Sequence, residues 1–91
     1  MKLHDIKLNI KYAQAVLDGN KTFELRINDK GYQVGDLLSF HVVSDRGFDK
    51  FNLLDNKLYE ITYVLNKYED IIPPGWCIFS FTPLNRDQWN R

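Results

Sequence analysis

Apolar and polar residues along the chain alternate mostly with period two. Thr22–Asn28 is the clearest case, with Phe23, Leu25 and Ile27 on one face and Thr22, Glu24, Arg26 and Asn28 on the other. Asp36–Val43 groups Leu38, Phe40 and Val42; Leu58–Leu65 groups Tyr59, Ile61, Tyr63 and Leu65; Trp76–Thr82 groups Cys77, Phe79 and Phe81. His4–Leu8 is a shorter strand ahead of them. Helical spacing occurs once, over Lys11–Asp18, where Tyr12 and Val16, and Ala13 and Leu17, are four apart. Asn9 is placed to cap that helix and Gly19 to stop it. Two turns are too few for an independent helix, so tertiary packing must hold it.

Turn residues punctuate the strands at Asn28-Asp29-Lys30-Gly31, at Val34-Gly35-Asp36 and at Pro73-Pro74-Gly75. Ser44–Asn56 reads as a polar loop with Phe48 and Phe51 at its centre, and residues 85–91 as a flexible tail in which Trp89 has the means to dock back. The expected fold is mainly β, a small and mostly antiparallel barrel of five to six strands with one early helix, forming a single domain over residues 1–91.

Composition narrows the function. The chain is 44% hydrophobic and 14% aromatic, unlike a disordered segment. Twelve basic and twelve acidic residues cancel, which excludes a protein that coats a duplex backbone. Residues 1–30 carry six basic and four acidic groups, so an anion site is expected in that third. One cysteine, Cys77, precludes an internal disulfide, and its place on an apolar strand face reads as a buried, inert thiol. His4 and His41 lie on different strands with no third ligand, so no metal and no cofactor are expected. The N-terminus has no apolar run of signal-peptide length, and no stretch reaches the roughly 20 apolar residues of a membrane span. A cytoplasmic protein is the expectation.

The chemistry concentrates in Gly19-Asn20-Lys21-Thr22-Phe23-Glu24-Leu25-Arg26, which reads G-x-K-x-x-E-x-R. On a strand Glu24 and Arg26 share a face about 7 Å apart, and Lys21 stands at the corner beside them. Lys21 and Arg26 suit a phosphate or sugar edge, Arg26 as a planar fork and Lys21 as a point charge. The spacing also fits a surface ion pair. Tyr32 reads equally as a base-stacking ring and as a turn aromatic. Trp76, after Pro-Pro-Gly, reads as a cleft-mouth ring or as core.

This segment resembles the motif of the ASCH family, within the PUA-like superfamily of small β-barrels. The resemblance continues through Asn28-Asp29, Tyr32-Gln33-Val34-Gly35-Asp36, Ile61-Thr62-Tyr63-Val64-Leu65 and Pro74-Gly75-Trp76-Cys77-Ile78-Phe79, in order, as in small bacterial and phage ASCH-like domains of unassigned function. It implies a cleft beside the motif that receives RNA or a nucleotide-like ligand; Lys21, Glu24 and Arg26 are expected to line it, with Tyr32 and Trp76 as further candidates for its wall. Single-stranded RNA or a nucleotide is the expected partner. Similar small proteins hydrolyse the N-acetyl amide of a modified cytidine nucleoside with a Lys, a Thr and a Glu. Here Glu24 holds the place of that Thr, Thr22 lies at the wrong step, and the loop carrying the acidic residue has no clear counterpart. The enzymatic alternative therefore rests on Lys21 and Glu24 as acid and base through water. A protein-interaction adaptor using the Phe48–Phe51 loop is the third reading.

Overall fold

The computed structural model describes residues 1–44, 47–48, 54, 56–66 and 71–84. Its elements run β1 (Leu3–Asn9), α1 (Ile10–Leu17), β2 (Phe23–Ile27), β3 (Leu37–Ser44), β4 (Gly47–Phe48), β5 (Leu58–Leu65) and β6 (Trp76–Leu84). The strands form one six-stranded sheet in the order β1-β3-β5-β6-β2, with β4 paired to β3. The sheet curls into a half-barrel, so the expected mainly β fold with one early helix is observed. Its pairs are antiparallel apart from β1 and β3, which run parallel with Ile6 opposite Phe40. That pair needs a crossover, and α1 and β2 lie within it. Among the described residues no helix is long and apolar enough to cross a membrane.

Helix α1 begins one residue earlier than its spacing indicates. The Asn9 side chain accepts from the Lys11 N–H at 3.0 Å and caps it. Gly19 takes φ +79° and ends it, turning the chain toward Lys21. Ala13 and Val16 enter the core, while Tyr12 and Leu17 flank them at the surface.

The core is aromatic. Tyr32 stacks 4.7 Å from Phe79, and Phe40, Tyr59 and Phe81 form a triangle of rings 5.3–5.4 Å apart. Ile6, Leu8, Leu38, Val42, Ile61 and Cys77 fill the space around them. Burial raises the Cys77 thiol above its ordinary pKa, beyond what the charge of Arg26 takes back, and keeps it protonated.

Three sequence readings are corrected. In β5, a bulge between Ile61 and Tyr63 breaks the alternation: Tyr59 and Ile61 point inward, but Tyr63 turns out and Val64 packs on the core. Within Ser44–Asn56, Gly47–Phe48 is a short strand and Leu54 is buried; Phe51 lies outside the described residues, as do residues 85–91 with Trp89. The barrel also does not close through a strand ladder. β1 and β2 are its two free edges, and two side chains span the seam: Arg26 Nη1 donates to the Lys7 carbonyl at 3.0 Å, and Lys30 Nζ to the Asp5 carbonyl at 2.8 Å.

Asp36 anchors the opposite end of β1. Gly35, at φ +91°, completes a turn in which the Asp36 N–H donates to the Gln33 carbonyl, and this swings the Asp36 side chain under the sheet. Its carboxylate accepts from His4 Nε2 at 2.8 Å, the Lys2 N–H at 3.0 Å and the Gln33 N–H at 3.1 Å. Burial pushes its pKa up, but the hydrogen bonds from His4, Lys2 and Gln33 outweigh that and hold it below the ordinary value. The turn aspartate of the sequence reading is therefore a buried three-donor acceptor.

A carboxyl depressed in the folded state contributes stability above its unfolded pKa of about 3.9, and that stability is lost as pH falls through the folded value. Asp36→Ala is expected to cost about 3 kcal/mol at pH 7, since three donors lose their acceptor. Denaturant titrations from pH 7 down to pH 2 should show an acid-induced loss that is smaller in the variant than in the parent.

Candidate functional site

The site grows from the helix-to-strand corner. After Gly19 the backbone N–H groups of Asn20 and Lys21 both donate to the Ala15 carbonyl, which sets the direction in which the chain enters β2. There the parity of the strand is opposite to what its apolar residues suggest. Glu24 is 7% exposed, whereas Phe23, Leu25 and Ile27 are each at least half exposed. Alternation identifies two faces but not which one turns inward, and here the charged face does. It can do so because its charges are mutually satisfied.

Glu24 Oε1 accepts from Lys21 Nζ, and Oε2 from Arg26 Nη1 at 3.3 Å. Lys21 also donates to the Phe23 carbonyl at 2.7 Å. Arg26 additionally holds the Lys7 carbonyl across the seam, and its charge lies close enough to Tyr32 to act on that phenol. The trio of Lys21, Glu24 and Arg26 therefore stands together, one carboxylate against two cations, as the motif spacing implies.

The other two residues singled out from sequence are placed differently. Tyr32 is 3% exposed, with its ring between His4 at 4.8 Å and Phe79 at 4.7 Å. Both ring faces are covered, so it is a core residue in contact with the trio and offers no stacking surface. Burial raises its pKa, against the opposing charge of Arg26. Trp76 pairs with Ile27 on the outer face of the sheet, opposite to Glu24 and Arg26, and is 38% exposed. It is neither core nor a wall of this corner. A Trp at an even step from Ile78 falls on the face that Cys77 and Phe79 leave.

The exposed rings at the corner are two that the sequence reading did not select. Lys21 Nζ lies 5.4 Å from the Tyr12 ring centroid and 5.2 Å from that of Phe23, and Lys11 Nζ lies 5.0 Å from Tyr12. Tyr12, Lys21, Phe23, Glu24 and Leu25 line an open concavity of about 380 Å³. On its other side Lys21 joins Gly19, Thr22, Lys57, Tyr59 and Phe81 around a smaller hollow of about 130 Å³. Phe23 carried a signal, standing beside Glu24 on the opposite parity. Lys57 carried none, because only the return of β5 brings it to the corner.

Fold and site together define a small half-barrel domain with a cationic, ring-flanked corner where its helix meets an edge strand. Residues 3–81 match the family described as Domain of unknown function (DUF3850), and the chain belongs to that family. It is also 45% identical over 40 residues, 44% of its length, to the uncharacterized 12.9 kDa protein in the GpA 3′ region of Escherichia phage P2. That match covers 37% of the phage protein, so the chain spans just over a third of the relative it matches.

Arg26 Nη1 has two acceptors to reach at once, the Glu24 carboxylate and the Lys7 carbonyl. Arg26→Lys, which keeps the charge, should still lower stability by about 1–2 kcal/mol. Hydrogen exchange should locate the change, with the β1 amides near Lys7 exchanging faster than in the parent.

Proposed function

We propose that this chain is an ASCH-like module that binds single-stranded RNA or a nucleotide at the Lys21 corner. The observation that supports the reading most is the position of Lys21, its ammonium within 5.4 Å of two exposed rings and at the junction of two hollows. Bases stack on aromatic faces without sequence preference, and nearby cations hold the backbone between them. Tyr12 and Phe23 supply the faces; Lys21, Lys11 and Lys57 supply the charge. Arg26 is spent on Glu24 and Lys7, so its part is to hold the corner in shape. With zero net charge and few local cations, the domain suits one or two nucleotides of a single strand better than a duplex.

The Lys21–Glu24 contact is also the pair that an amidohydrolase acting on an acylated nucleoside would use as acid and base. Glu24 already accepts from both Lys21 and Arg26, however, and among the described residues no hydroxyl is hydrogen-bonded to it. Binding without turnover is the conclusion the geometry favours.

The test is a titration of short RNA and DNA oligomers and of mononucleotides at two salt concentrations. Phosphates neutralised by Lys21, Lys11 and Lys57, up to three of them, give a slope of about −1 to −2 in log K against log salt on single strands. Tyr12→Ala should cost roughly 1–3 kcal/mol of binding as a stacking face is lost. Lys21→Ala should weaken all sequences and flatten the salt dependence. Affinity that ignores salt and both substitutions would refute the site, and turnover of an N-acylated nucleoside lost in Glu24→Ala would replace binding by hydrolysis.

A further inference from the structure

The smaller hollow deepens from a polar rim to an apolar floor. Thr22 and Lys57 at its rim are exposed, whereas Val16, Tyr59 and Phe81 are buried. Tyr59 is 3% exposed, and its ring packs edge-on against those of Phe40 and Phe81. Among the described residues its hydroxyl has no hydrogen-bond partner, although a phenol this buried ordinarily finds one. Among those residues no side-chain polar atom sealed from solvent lacks a partner. The Tyr59 oxygen therefore reaches accessible space, and the hollow that Tyr59 lines is where it opens. Burial raises the pKa of Tyr59, so the hydroxyl keeps its proton and is able to donate as well as accept.

We propose that this hollow binds a small carboxylic acid whose apolar body is about the size of one six-membered ring. A polar group at the far end of the ring meets the Tyr59 hydroxyl, and the carboxylate meets Lys57 at the rim. Size sets the body: the hollow holds about 130 Å³, close to the roughly 150 Å³ of a cavity that takes up benzene. The rim sets the charge. Among the described residues the Lys57 ammonium has no partner, whereas Lys21, which shares the hollow, is engaged with Glu24 and the Phe23 carbonyl. One free ammonium answers one negative charge, while a phosphate monoester brings up to about two, with more oxygens to satisfy. The floor disfavours a nucleotide base. Bases carry polar groups around most of their edge, the floor offers one hydroxyl, and every further group would be buried unpaired. The site is thus separate from the nucleotide reading and does not rest on it.

The two ends of the hollow divide the work. An acid of about ten non-hydrogen atoms binds with a dissociation constant of roughly 0.1–10 mM. Tyr59 adds selectivity to that affinity. A ring acid with a polar group para to its carboxylate reaches the hydroxyl and gains roughly three- to tenfold over the plain ring, the worth of one hydrogen bond. Two fused rings exceed the space.

The test titrates benzoate, para-hydroxybenzoate, benzyl alcohol and naphthoate into the protein while its backbone amides are followed by proton–nitrogen correlation NMR. The expected shifts centre on Thr22, Lys57, Tyr59 and Phe81, with para-hydroxybenzoate binding more tightly than benzoate and the neutral alcohol more weakly. Tyr59→Phe removes only the unpartnered hydroxyl. It should leave the thermal melt nearly unchanged, keep benzoate binding and abolish the preference for para-hydroxybenzoate. Lys57→Gln should weaken both acids about fivefold. If Tyr59→Phe loses the fold, Lys57→Gln, at an exposed position, still carries the test. An absence of shifts at the hollow overturns the proposal. So does a preference for para-hydroxybenzoate that survives Tyr59→Phe, acid binding that Lys57→Gln leaves unchanged, or naphthoate binding as tightly as benzoate.

Discussion

A carboxylate facing the inside of a half-barrel is costly unless cations meet it there, and much of this molecule is arranged around meeting Glu24. Lys21 comes from the corner after α1, which is why the helix must stop at Gly19. Arg26 comes from the next inward position of the same strand. Once Glu24 and Arg26 face inward, the pleat sends Phe23, Leu25 and Ile27 outward. Arg26 then reaches the Lys7 carbonyl, and with Lys30 it spans the gap that the strand ladder leaves open. The edge strand, the seam and the outer apolar face follow from one choice of parity.

The same choice shapes the reading of function. A motif of two cations and an acid looks, in one dimension, like a set of ligand-binding groups. In three dimensions most of its hydrogen-bonding capacity is turned on itself and on the backbone. What remains open at the corner is the capacity of the Lys21 ammonium not taken by Glu24 and the Phe23 carbonyl, the rings beside it and the lysines that converge from α1 and from the start of β5. The motif thus acts as a frame, and the surface it frames is supplied by less conspicuous neighbours. Membership of the DUF3850 family extends over nearly the whole of this frame.

The strands, the helix and the turns were legible because period two, period four and turn residues report local geometry directly. Gly19, Gly35 and Asn9 announced their roles by type and position. The gathering of Lys21, Glu24 and Arg26 was legible for the same reason, since all three lie within six residues. What stayed hidden depended on partners far along the chain. The burial of Asp36 requires His4, the burial of Tyr32 requires Phe79, and the arrival of Lys57 requires the course of β5. The inward turn of β2 was hidden for another reason: a strand with one apolar and one charged face ordinarily buries the first. Only the salt-bridge network reverses that preference. The bulge in β5 has a similar logic, because one extra residue exchanges the two faces and no turn residue marks the position.

The strand order also governs how the chain is assembled as it is synthesised. β1 pairs with β3, more than thirty positions later, and β2 pairs with β6, 49 to 57 positions later. Until Trp76–Leu84 has emerged, β2 has no ladder to join and Glu24 has no enclosed interior to occupy. β1 and α1 can meet β3 early, but β2 must wait, uncommitted, for nearly all of the described chain to follow it. Closing loops of that length before any strand contact rewards them places folding on the slow side for a domain this small. It also makes the order all-or-none: a nascent chain cut short before β6 has lost the partner of its own second strand.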